Sequence, residues 1–187
     1  GSSYDFNIRT NQVFRDVSAW YHIVVAFDTT QGTASNRIKV YVNGTQVTSF
    51  STATYPSENF QGFINSTEAH AIGRYTWASS AYFDGYMAEV NLVDGLALDP
   101  TYFGETKNGV WIAKKYSGSY GTNGFRLQFN QTGVGTASTS TIGADTSGNT
   151  HHFTSSGIVA SDCNMPDSPE NNFATLNPLV PPSGRTS

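Results

Sequence analysis

Two carboxylates stand five positions apart in Phe83-Asp84-Gly85-Tyr86-Met87-Ala88-Glu89-Val90. Hydrolysis of a glycosidic bond needs such a pair on one face, roughly 5–9 Å apart, one as acid and one as nucleophile or base. An odd separation in a regular strand puts Asp84 and Glu89 on opposite faces. No Glu-x-Asp-x-x-Glu cluster accompanies them. The spacing therefore argues against an enzyme. The histidines offer no better chemistry. His151 and His152 are adjacent and would project oppositely in a strand, while His22 and His70 fall in expected strands. None has the i, i+4 or Cys/His spacing of a zinc site. Asp84, Asp94 and Asp145 could each face a calcium ion, but no clustered acidic loop gathers them. We expect neither a metal nor a cofactor.

One loop is chemically richer. Arg74-Tyr75-Thr76-Trp77-Ala78-Ser79-Ser80-Ala81-Tyr82 combines aromatic rings, a guanidinium and hydroxyls. Sugars stack their C–H faces on exposed rings and pair their hydroxyls with such polar groups. Arg74, Tyr75, Trp77 and Tyr82 are therefore the candidate glycan-binding residues. The competing reading packs Trp77 down over the edge of the fold, since aromatics carry much core energy. Trp20 and Trp111 are assigned to the core by pattern.

The elements that must position this loop read as strands. Residues 20–28 are rich in β-branched and aromatic side chains, with Tyr21, Ile23, Val25 and Phe27 lining one face. In residues 37–42, Ile38, Val40 and Val42 point inward while Arg37, Lys39 and Tyr41 point outward. Asn43-Gly44 follows and predicts a two-residue type I′ hairpin, because both residues accept positive φ. Residues 46–50 form the return strand, and 51–66 read as a polar loop. Residues 69–74, 82–92, 111–116 and 125–129 are further strands. The run 82–92 switches face, so a bulge near Ala88 or burial on both faces is expected. Asp99-Pro100 opens one short helix as cap and first residue, and Gly104 closes it.

Composition bounds the rest. Only 13% of the 187 residues are charged and 13% are aromatic, so a packed core with a polar, uncharged surface is expected. The net charge is −4, which leaves no basic footprint for nucleic acid. No apolar run approaches the ~18 residues that cross a membrane, so no membrane insertion is expected. A lone Cys163 allows no internal disulfide, which favours a bacterial or viral module over an animal secreted one. After Asn130 the chain turns to Gly, Ser, Thr and Ala, then to Pro and Asn. This divides it into a β-sandwich over 1–130 and a linker with an extended arm over 131–187. The arm is expected to leave the sandwich after about Ile142. Phe153, Ile158, Val159, Phe173, Leu176 and Leu179 would then be free to dock elsewhere.

Two stretches carry a family resemblance. Asp16-Val17-Ser18-Ala19-Trp20-Tyr21-His22-Ile23-Val24 followed by Ile38-Lys39-Val40-Tyr41-Val42-Asn43-Gly44 resembles the laminin-G-like signature. Ile72-Gly73-Arg74, Phe83-Asp84-Gly85-Tyr86-Met87-Ala88-Glu89-Val90 and Leu96-Ala97-Leu98 resemble that family's second half. The resemblance implies an all-β antiparallel sandwich, the concanavalin-like jelly roll, whose relatives include glycoside hydrolases. A narrower likeness rests on residues 95–105, Gly124-Phe125-Arg126-Leu127, Asp145-Thr146-Ser147-Gly148-Asn149 and residues 167–178. These resemble laminin-G-like proteins of tailed bacteriophages. That implies a virion location, in a tail fibre, tail-associated or capsid-surface chain. Expected partners are other virion subunits, a second copy of the chain and a host-surface glycan. The family usually has several strands before the tryptophan-led one, whereas here only Tyr4 to Phe14 precede it. Either the chain is part of a longer one, or another subunit fills some sheet positions.

Overall fold

The computed structural model describes residues 5–76 and 81–163. It is an all-β antiparallel sandwich, and its only helices among the described residues are single 3-10 turns. Nine strands follow in chain order: β1 (Asn7–Thr10), β2 (Ile23–Phe27), β3 (Ile38–Val42), β4 (Thr45–Gln46), β5 (Phe50–Thr54), β6 (Val90–Leu92), β7 (Gly104–Lys107), β8 (Val110–Ala113) and β9 (Phe125–Leu127). They pair as β1-β5, β2-β3-β4, β6-β9 and β7-β8, each pair antiparallel.

Local chemistry explains the turns. Asn43 and Gly44 have φ of 48° and 79°, as the hairpin between β3 and β4 requires. The Asn43 side chain also accepts from His22 N at 2.8 Å, tying the turn to the start of β2. Asp99 caps the 3-10 turn Pro100–Tyr102 by accepting from Thr101 N at 2.8 Å, with proline at the first position as expected. Gly104, expected to end that turn, instead opens β7.

Several expectations are corrected. The polar run after residue 50 is not all loop: Phe50–Thr54 pairs with Asn7–Thr10 across a bulge between Arg9 and Thr10. Its threonines are β-branched and suit a pleated ribbon despite their hydroxyls. The run 82–92 is strand only at Val90–Leu92. Glu89 has φ of 52°, a left-handed kink that re-aims the chain and accounts for the switch of face. Residues 69–74 form no strand, only an isolated bridge at Arg74. Trp20 lies before β2, half-buried on the wall of an open groove rather than enclosed between sheets. Arg37 was expected outward, yet it is buried, because its guanidinium satisfies three backbone carbonyls. Those are Gln31 O at 2.8 Å, Pro56 O at 2.8 Å and Gly32 O at 3.1 Å.

The residues around β9 pack densely. Leu127 is 1% exposed, and Phe125, Tyr116, Tyr120, Ile142 and Ala144 are buried around it. Phe125 and Phe153 meet edge to face with centroids 4.9 Å apart. The chain therefore does not leave the sandwich at Ile142. Residues 141–153 cover β9, because Asp145 ties that stretch to the strand's backbone. The remainder of the arm, from residue 164 onward, lies outside the described residues.

Candidate functional site

Residues 73–75 and 81–83 pair antiparallel as the two arms of a hairpin. Tyr75 N donates to Ala81 O at 2.9 Å and Phe83 N donates to Gly73 O at 2.8 Å, with Arg74 and Tyr82 bridged antiparallel. Gly73 starts the hairpin at φ 78°. Of the four sequence-predicted glycan residues, Arg74 and Tyr82 face each other across the bridge, whereas Tyr75, opposite Ala81, falls on the other face of the ladder. Tyr75 is 54% exposed and Tyr82 is 62% exposed, beside an exposed Arg74. The Arg74 guanidinium has no ion-pair or hydrogen-bond partner among the described residues. Trp77, the fourth, lies outside the described residues. An exposed ring and a cation side by side, as at Tyr82 and Arg74, can stack on a sugar and hold its hydroxyls.

The carboxylate pair behaves differently. Asp84 is exposed in the irregular stretch before β6. Glu89 accepts from Arg126 Nε at 2.8 Å, so its carboxylate already serves a buried guanidinium. Tyr120 donates to Asn91 at 2.9 Å next to this pair. Burial pushes the Tyr120 phenol up to about 12, so it remains a donor. The imidazole of His22 accepts from Trp111 Nε1 at 3.1 Å. Burial lowers the His22 pKa, against the opposing pull of Glu89.

A polar knot behind β9 escaped the sequence reading. Asp145 accepts from Arg126 N, Ser147 N, Ser147 Oγ and His151 N, all within 2.9 Å. Asn149 donates to Gly121 O and Gly124 O, both at 2.8 Å. His152 Nδ1 accepts from Asp145 N at 2.9 Å. The signal was present in Asp145-Thr146-Ser147-Gly148-Asn149, a run of residues that bond their own backbone two positions on. Burial pushes the Asp145 carboxyl up, but its hydrogen bonds outweigh that and hold it below the usual carboxylate value. With all four donors in place, Asp145 is committed to structure. No group of three or more metal-ligating side chains converges among the described residues.

Arg74, Tyr75 and Tyr82 lie within the part of the chain that resembles a known family, and the open groove only partly does. Residues 1–102 match the family model described as the concanavalin A-like lectin/glucanases superfamily. No curated protein and no solved structure matches the chain. That match spans more than half of the 187 residues and agrees with the antiparallel sandwich, so the chain belongs to the concanavalin A-like lectin/glucanases superfamily.

Proposed function

We propose that this chain is a non-catalytic attachment domain of a virion that holds a host-surface glycan at the hairpin of residues 73–83. The observation that carries the reading is the exposed ring of Tyr82 facing the guanidinium of Arg74, which has no ion-pair or hydrogen-bond partner among the described residues, with the exposed Tyr75 next in the chain. Loops held on a rigid sandwich are the usual carriers of recognition. Trp77 adds a third ring to the same loop. The virion setting is supported by the phage-like segments Gly124-Phe125-Arg126-Leu127 and Asp145-Thr146-Ser147-Gly148-Asn149. It implies other virion subunits as neighbours. A glycan array followed by titration calorimetry tests the reading. Tyr75→Ala and Tyr82→Ala should each weaken binding about tenfold while the circular dichroism spectrum stays unchanged. Absence of any bound glycan, or binding indifferent to both changes, defeats it. Release of reducing sugar from polysaccharide, abolished in Glu89→Gln, would install a hydrolase of the same fold instead.

A further inference from the structure

Three asparagines precede a glycine, in Asn43-Gly44, Asn108-Gly109 and Asn123-Gly124. Such a pair can modify itself. The main-chain nitrogen of the glycine attacks the side-chain carbonyl carbon of the asparagine. A C–N bond forms, and the side-chain nitrogen leaves as ammonia. Water then opens the cyclic succinimide at either carbonyl, giving aspartate or isoaspartate. Glycine favours the attack because no Cβ crowds it. The reaction needs an asparagine side chain free of other bonds, a glycine N–H open to attack, and a backbone able to leave its turn geometry. In sequence the three sites are alike, and in the fold they differ.

Asn43 is held twice. Its side chain accepts from His22 N and its own N donates to His22 O, each at 2.8 Å. Gly44 lies under the Trp111 ring, with no room for a Cβ, so this turn cannot deform without lifting the indole. Asn123 is held through its backbone. Its N donates to Asp94 Oδ2 at 3.1 Å. Gly124 is buried, a Cβ there would collide with Tyr120 O and Leu92 O, and its own O accepts from Asn149 Nδ2 at 2.8 Å.

Asn108 has none of these restraints. It forms the tip of the β7-β8 hairpin with Gly109, at φ of 52° and 79°. Both residues are exposed. The Asn108 side chain and Gly109 N have no hydrogen-bond partner among the described residues. A Cβ on Gly109 would meet nothing within 4 Å. Exposed tips with few contacts are where local opening costs least, so this turn can reach the geometry of attack.

We propose that Asn108 is a self-modification site, at which the folded chain converts asparagine to aspartate and isoaspartate while Asn43 and Asn123 are protected. Either product puts a carboxylate where an amide stood. Isoaspartate also adds a methylene to the main chain, in the turn that sets the register Lys107↔Val110. The altered hairpin is the one that carries Trp111, whose indole lies on Gly44 and Gly104. The site is on a different element from the hairpin of residues 73–83 and does not depend on glycan binding.

Incubation of the chain of residues 1–187 at mildly alkaline pH, followed by trypsin and mass spectrometry, tests the proposal. Alkali deprotonates the attacking nitrogen. Cleavage after lysine and arginine places the three asparagines on separate peptides. The peptide holding Asn108 should gain the mass of an acid over an amide several-fold faster than the other two, with ammonia released in step. In urea the three sites should react at comparable rates, which assigns the difference to the fold. Equal rates at the three sites in the folded chain overturn the proposal. So does an unchanged Asn108, or the same ranking of the three in urea.

Discussion

Leu127 in β9 and Ile23 in β2 are both branched aliphatic residues on the apolar face of a short antiparallel strand. One is 1% exposed and the other 54%. The difference is not in the strands. β9 is shorter than β2 and carries an arginine at its centre. What differs is the cover. Residues 141–153 lie over β9, fastened to Arg126 by Asp145, which accepts from Arg126 N, and by Thr146 N, which donates to Arg126 O. β2 has β3 on one side and an open groove on its face. Alternation says which side chains want burial. Whether they obtain it depends on a distant segment that is itself polar.

The largest test of this contrast compares matched truncations. Leu127→Ala should destabilise the chain by about 3 kcal/mol, the transfer and cavity cost of a buried leucine. Ile23→Ala should cost less than about 1 kcal/mol at low concentration, since half of that side chain already meets water. Urea midpoints give both values. Repeating them at high concentration sharpens the comparison. The cost of Ile23→Ala should rise if a second copy covers β2, while that of Leu127→Ala should not.

The fastening itself comes next. Asp145→Asn puts an amide donor where backbone N–H groups point and should cost roughly 2 kcal/mol. The carboxyl of Asp145 is held below its unfolded value, so its contribution is fully present above the unfolded pKa of about 3.9. That contribution is lost as pH falls through the lower folded value. Stability measured below about pH 4 should therefore decline more steeply in the wild type than in Asp145→Asn. Parallel acid profiles would show that the cover of β9 is held by something else.

These two regions also separate what could be read from the sequence from what could not. The Asn43-Gly44 hairpin and the Asp99-Pro100 cap were legible because their backbone demands reside in adjacent residues. That Arg74 and Tyr82 meet was legible, since they are close in the chain and bridge antiparallel. Arg37 was misplaced because the carbonyls that justify its burial, such as Pro56 O, come from elsewhere in the chain. The same holds for the cover on β9. Its glycines, serines and threonines look like linker, and contacts to distant residues, such as Asp145's with Arg126 19 residues away, make them structural. The polar strand β5 was missed because its partner β1 lies some 40 residues earlier.

A smaller effect is expected where Trp111 meets two glycines. The indole of Trp111 lies flat on Gly44 and Gly104, where an added Cβ would fall on the ring. Gly44 also needs its positive φ, so Gly104 isolates the steric part. Gly104→Ala should cost about 1–2 kcal/mol through overpacking. In a Trp111→Ala background the same change should be close to neutral. An undiminished cost there would mean that Trp111 is not the neighbour that makes glycine necessary.

The smallest effect concerns His22, the polar residue at the start of the uncovered strand. Its ring accepts from Trp111 Nε1, a bond that requires Nδ1 to be unprotonated. Burial lowers its pKa, and the nearby Glu89 carboxylate opposes that shift. The folded value therefore lies below the unfolded one of about 6.5. A group shifted in this direction contributes stability that is present above the unfolded pKa and lost as pH falls through the folded pKa. Protonation also turns the acceptor into a second donor facing the indole N–H. The decline should begin near pH 6.5, above the window in which Asp145 titrates, so the two contributions are separable on one curve. Because the imidazole is only half-buried and Glu89 partly compensates, the total should stay below about 1 kcal/mol. His22→Gln cannot gain a proton and should flatten the urea-midpoint profile just below about pH 6.5 while leaving the acid limb of Asp145 intact. A slope unchanged in His22→Gln would assign that window to another group and leave the start of β2 without a pH-sensitive contact.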